Sequence, residues 1–157
     1  MKVRRRARIT ALQALFEVDV VHHNPALVLH ARVLENELPE TGQGFCRQLF
    51  EGVLEHRSAL DEAIQRIAPE WPIDQIAPVD RNILRLAAFE ILLVPDTPPK
   101  VAINEAVDLA KMFGSESSSR FVNGVLGTLL ASREQMLARM VQPRQAVLDD
   151  RLGGEAN

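Results

Sequence analysis

The chain has no tyrosine, one tryptophan and one cysteine in 157 residues. A lone thiol, Cys46, cannot close an intramolecular disulfide, so nothing in the sequence points to an oxidising compartment. No uninterrupted apolar run approaches the ~20 residues that span a bilayer. The N-terminus joins basic to apolar residues, the outline of a secretory signal. Glu17 and Asp19 interrupt the would-be apolar region, however, and no small-residue cleavage pattern follows. The same acids and the shortage of serine count against an Arg-rich organellar leader. A cytoplasmic protein is the expectation.

Catalytic signatures are missing as well. His22, His23, His30 and His56 lie outside any H-E-x-x-H arrangement, and the nearest approach to a bundle di-iron motif is a single Asp19-x-x-His22. Cys46 has no base near it in sequence and reads as a small core residue. Neither a G-x-G-x-x-G loop nor a Walker loop occurs. Acid pairs such as Asp61-Glu62 and Asp149-Asp150 read as solvated faces. The expectation is a protein without catalytic residues, cofactor or metal.

What is present is helical periodicity. Hydrophobic residues make up 46% of the chain, the composition of a globular protein. Ile9, Leu12 and Phe16 recur at i, i+3 and i+7 beside Leu15, which predicts an amphipathic helix to about Val21. Asn24 before Pro25 starts a second helix, which ends by Pro39. Phe45, Leu49, Val53, Leu60, Ile64 and Ile67 continue one pattern that stops before Pro69. From Val79 to Val94 nearly every side is apolar, the mark of a central, buried helix. Val101, Ile103, Ala106, Val107, Ala110 and Phe113 form another stripe, closed by Gly114 in the place of a C-terminal helix glycine. SESSSR supplies an N-cap for a last long helix from Phe121 to about Met140.

No stretch alternates as a strand does. Asn123-Gly124 would suit a hairpin, but Phe121, Val125 and Leu129 run through it at helical spacing. The fold class is therefore all-α: six to seven helices, as two small bundles around the hydrophobic helix at 79–94. One domain over 1–142 is expected, with a polar tail over 143–157.

Three features are not explained by core formation. The first is KVRRRAR, residues 2–8, with five cations in seven positions. The whole chain carries −3; without these five it has 13 Lys and Arg against 21 Asp and Glu, or −8. Cations in a helix's first turn oppose the macrodipole by roughly 0.3–1 kcal/mol each, so no stabilising role is expected. A frayed basic end kept for solubility is one reading. An anionic partner, above all a nucleic-acid backbone, is the other. The second feature is the polar stripe of Asn104, Asp108 and Lys111, which an exposed helix face explains. The third is SSSRFVNGVLG, where Gly124 and Gly127 each cost about 1 kcal/mol against alanine within a helix. Close packing of a neighbouring helix is the default explanation.

RRRARITALQALFEVD, DRNILRLAAFEIL and PKVAINEAVDLAKMFG followed by SSRFVNGVLG together resemble the NusB family of bacterial transcription antitermination factors. The resemblance runs in register from residue 3 to about 131. The same fold occurs fused to RNA methyltransferases; this length leaves no room for that catalytic domain, so the free-standing factor is the expectation.

The resemblance implies an all-helical protein that binds the boxA element of leader RNA as a single strand. It implies NusE, a small-subunit ribosomal protein, as partner, and a place in the RNA polymerase antitermination complex that transcribes ribosomal RNA. By the same resemblance, Lys2, Arg4, Arg5, Arg6, Arg8, Phe16, Ser117, Ser118, Arg120 and Phe121 are the RNA-contacting positions, and Asp80, Arg85 and Glu90 face NusE. A homodimer is compatible with it. Phe16 replaces a tyrosine found in some relatives, and Ser117 an aspartate. A helical protein–protein adaptor without sequence-specific RNA binding is the alternative.

Overall fold

A computed structural model describes residues 2–141. Seven α-helices follow one another: α1 (Val3–Val21), α2 (Pro25–Glu35), α3 (Glu40–Glu55), α4 (Arg57–Ile67), α5 (Pro78–Leu93), α6 (Pro99–Phe113) and α7 (Ser118–Ala131). A short 3-10 turn (Ile73–Gln75) precedes α5, and residues 133–141 are again helical. The tail expected over 143–157 lies outside the described residues.

Local chemistry sets most of the boundaries. Asn24 caps α2, its Oδ1 accepting from the amides of Ala26 at 3.0 Å and Leu27 at 3.4 Å, with Pro25 at the first helical position. The 45–67 pattern is two helices, because the backbone breaks at His56 (φ −103°, ψ 15°) while the apolar face stays in phase. The last helix also breaks, at Ser132, whose amide reaches back to the carbonyls of Thr128, Leu129 and Leu130. Gly114 ends α6 without the left-handed turn expected of it. Its backbone is extended (φ −90°, ψ −170°), and a methyl there would press on Ser118 and lie 2.8 Å from the Ala110 carbonyl oxygen. Ser117 occupies the cap position of α7 with no side-chain hydrogen bond. Ser118 acts instead, its Oγ accepting from the Ser115 amide at 2.8 Å.

Helices α1, α2 and α3 pack as one group and α4, α6 and α7 as another, with α5 against both. Twelve of the sixteen residues of α5 are buried, which bears out its reading as the central helix. Ile83, Leu84, Leu86 and Ile91 are among the largest fully buried side chains, and each such side chain contributes roughly 1.5–3 kcal/mol. Cys46 is core, and burial pushes its thiol up to about 11. No helix among the described residues is long and apolar enough to cross a membrane.

One contact fixes how closely α3 approaches α5. Gly52 faces the Phe89 ring, and a methyl group at position 52 would overlap that ring. His56 stacks on the same ring, with centroids 6.1 Å apart and planes 24° from parallel. Gly52→Ala is therefore expected to lower unfolding free energy by about 1–3 kcal/mol through overpacking, despite alanine's better helix propensity. Urea denaturation would show this as a lower midpoint at unchanged m-value.

Candidate nucleic-acid interface

The basic segment is an ordered helix, and its arginines leave it in different directions. Arg8 points inward and is 4% exposed; its Nε and Nη2 donate to the two carboxylate oxygens of Glu90 at 2.8 and 2.9 Å, and Glu90 is 2% exposed. Arg6 turns to the C-terminal end of α2, donating to the carbonyls of Asn36 at 3.0 Å and Glu37 at 2.9 Å. Glu37 has left-handed backbone (φ 48°), and Asn36 donates from its side chain to Thr10 and Gln13 of α1. Arg5 reaches α6, where Glu105 takes its Nε and Nη2 at 3.0 and 3.2 Å and Asp108 shares Nη2. Arg4 lies over the Phe45 ring of α3, 4.3 Å from its centroid.

The run is thus a set of stitches from α1 to α2, α3, α5 and α6. This corrects the expectation that it gives the fold nothing: the macrodipole penalty is small beside a buried, bidentate ion pair.

At the other end of α1, Asp19 is nearly buried and accepts from Arg57, Arg81, Asn82 and Arg85 at 2.9 to 3.2 Å. Arg85 also forks onto Asp61 at 2.7 and 3.0 Å. Burial alone would raise the Asp19 carboxyl; hydrogen bonds from Asn82 and Arg81, with the charges of Arg85 and Arg81, outweigh it and hold the group below its usual range. The three positions expected to face NusE are therefore interior. Glu90 is committed to Arg8, Arg85 to Asp19 and Asp61, and Asp80 is buried in the first turn of α5 with Oδ1 unpartnered among the described residues.

What remains at the surface is Lys2 and Arg4, with Arg5 and Arg6 partly exposed. Lys2, Arg4, Arg5 and Arg8 line one open hollow of about 660 Å³, closed on its far side by Asp96, Thr97, Pro98, Val101 and Glu105. Phe16 is half-buried in a second, apolar cleft of about 240 Å³ with Leu12, Gln13, Arg32, Val79 and Phe113. Helix α6 runs alongside: its Glu105 and Asp108 meet Arg5, and its Phe113 meets the Phe16 cleft. Beyond Gly114, Ser117 and Arg120 are exposed and Ser118 is buried. Phe121 is half-buried, edge-on to Trp71 at 6.1 Å between centroids, and Trp71 is 52% exposed.

Sequence reasoning missed Phe113, Val101, Trp71 and Asp96. Phe113 and Val101 fit the α6 apolar stripe and were assigned to the core, yet are 38% and 43% exposed. Only their place at the stripe's edge, beside Met112 and Lys100, carried a hint. Gly124 and Gly127 also depart from expectation. A Cβ at either position would meet nothing within 4 Å, so no helix among the described residues packs closely there.

Two outcomes follow from the buried charges. Arg8→Ala would strand a buried carboxylate and is expected to cost about 3–5 kcal/mol; Arg8→Met with Glu90→Leu should recover most of that loss in a denaturation cycle. Because Asp19 is depressed in the fold, its contribution is full above the unfolded carboxyl value of ~3.9 and lost as pH falls through the lower folded value. The urea midpoint of the native protein should therefore drop more steeply below about pH 4 than that of Asp19→Asn, itself weaker at neutral pH.

Known proteins resemble this chain in sequence and in fold. Residues 5–131 match the sequence profile of the NusB family. The chain is 51% identical to the transcription antitermination protein NusB of Roseiflexus sp. (strain RS-1) over 131 residues, 82% of this chain and 92% of that protein. It is 51% identical to that of Chloroflexus aggregans over 137 residues, 83% and 91% of the two chains. Among solved structures, T. maritima NusB superposes with a TM-score of 0.78 at 31% identity, covering 86% of this chain and 96% of that one. A NusB solved with NusE and double-stranded RNA gives 0.78 at 28% identity, over 84% and 98%. Sequence and overall fold agree, and the chain belongs to the NusB family.

Proposed function

We propose that this protein is a transcription antitermination factor that binds boxA-type single-stranded RNA together with NusE and acts in the RNA polymerase antitermination complex on ribosomal RNA operons. The observation that carries the reading is the hollow at the start of α1. There Lys2 and Arg4 are exposed with no carboxylate partner among the described residues, on a helix whose other arginines hold it in place. Phosphates fit these cations, and unstacked bases fit the apolar steps beyond them, Phe16 with Phe113 and then Arg120 with Phe121.

Arg8 serves this interface by fixing α1 through Glu90. Arg85 and Glu90 likewise serve a NusE contact by setting α5 from within, and the direct contact falls to exposed residues such as Trp71, in the segment between α4 and α5. The −8 body suits a basic ribosomal partner and discourages RNA elsewhere on the surface.

Three engaged phosphates give a slope of log K against log[salt] of about −2 for a single strand. Lys2→Ala with Arg4→Ala should weaken binding to all single strands and bring that slope to about −0.7. Filter binding of boxA-type RNA, a scrambled strand and a duplex, each with and without NusE, checks the assignment. A preference for boxA that NusE strengthens is the expected result. An unchanged salt slope in the double variant, or equal binding of boxA and scrambled RNA alongside tight NusE binding, would favour the adaptor reading instead.

A further inference from the structure

The hollow beside Lys2 and Arg4 contains a residue that a pure phosphate grip would not keep. Asp96 is exposed, lines the same space as Lys2, Arg4 and Arg5, and makes no ion pair among the described residues. A carboxylate there repels phosphate, so binding of backbone alone is weaker for its presence. Its position is also closely defined. The Thr97 amide donates to the Val94 carbonyl at 3.1 Å, closing a turn over Val94–Thr97 with Pro95 at the second position and Asp96 at the third. Pro98 and Pro99 follow at once and open α6, so the backbone on both sides has little freedom. The turn presents one carboxylate, at a fixed place, among cations.

The four RNA bases offer different edges to such a group. Guanine carries two adjacent donors, N1–H and the N2 amine, which match the two oxygens of a carboxylate. Its O6 and N7 are acceptors suited to Arg or Lys. Uracil flanks its single N3–H with two carbonyl oxygens. Cytosine and adenine set one amine beside a ring-nitrogen acceptor, which a carboxylate repels. The rest of the hollow suits the remainder of a nucleotide: Pro98 and the 43% exposed Val101 give an apolar wall for a base face, and Lys2 and Arg4 take the adjoining phosphate.

We propose that this hollow is a guanine-reading subsite of the RNA interface, in which Asp96 accepts from N1–H and N2–H and a neighbouring cation of α1 meets O6. The inference rests on the reading of α1 as an RNA-binding surface and assigns one base preference within it.

The test uses the full chain and dodecamers of oligouridine whose one central position is uridine, guanosine, inosine or adenosine, so that phosphate number is constant. Fluorescence anisotropy at low salt should show the guanosine strand binding about tenfold tighter than the all-uridine strand. Inosine, which lacks the N2 amine, should fall between them, and adenosine should behave as uridine. Asp96→Ala should bind every strand at least as tightly as the native protein binds oligouridine, with the guanosine preference gone. Its thermal melt should match that of the native protein.

Equal binding of all four strands by the native protein, or a guanosine preference that survives in Asp96→Ala, would overturn the subsite while leaving the RNA interface standing. Failure of the native protein to bind any strand would overturn the interface reading, and the subsite with it.

Discussion

Arg8 and Glu90 meet between α1 and α5 with almost no water around either, and each is tolerable there only because of the other. Removing two such charges from water costs several kcal/mol apiece, and the two parallel hydrogen bonds of the guanidinium fork offset it where a looser contact would not. Apolar side chains of equal volume could stabilise the same place as well or better. An ion pair adds direction, since a fork and a carboxylate match in one relative rotation of the helices. A second fixing point lies eleven residues further along α1, where Asp19 receives Arg81, Asn82 and Arg85 from α5. At ~1.5 Å per residue the two points are roughly 16 Å apart, enough to set both the tilt and the register of α1 on the central helix.

That constraint decides what the basic segment can do. Had residues 2–8 been a mobile arm, all five cations would be available to any polyanion, and ordering the arm would oppose binding. Held as a helix, the segment gives up Arg8 to Glu90 and shares Arg5 with Glu105 and Asp108. Arg6 keeps its charge but rests on the negative end of α2. The patch is consequently less basic than its sequence, and more defined in shape.

The helices were legible because an amphipathic period survives in a single sequence; α5, apolar on every side, was the plainest of them. The breaks at His56 and Ser132 were not, since neither interrupts the apolar face and neither carries glycine or proline. The direction of each arginine was also hidden. Arg4, Arg5, Arg6 and Arg8 look alike in sequence, and what separates them is about 100° of helix rotation per residue together with acids found 82 to 103 positions away. Phe113 was misplaced for a related reason: a residue at the edge of an apolar stripe is core or surface according to whether a neighbour covers it, and here α1 leaves a cleft. Gly124 and Gly127 do lie within a helix, α7, but the close-packed neighbour that would explain them is absent from the chain's own described residues.

A shared scaffold also changes how defects in this segment should be read. In the proposed interface a substitution at Arg8 would reach RNA only by loosening α1, so its effect on binding should follow its effect on stability, and a change that restores packing without restoring charge should restore both. In the proposed interface Lys2 and Arg4 would meet a strand directly, and beyond the stacking of Arg4 on Phe45 neither is tied to another helix among the described residues, so their loss should lower affinity more than stability. Arg5 stands between these cases. Its guanidinium is held by two carboxylates of α6 that fix its orientation while cancelling much of its field at a distance, where salt would screen it further. A phosphate gains from such a group only at contact range. The arrangement therefore trades long-range attraction for short-range geometry, which is the condition under which a few polar contacts within an acidic protein can distinguish one strand from another.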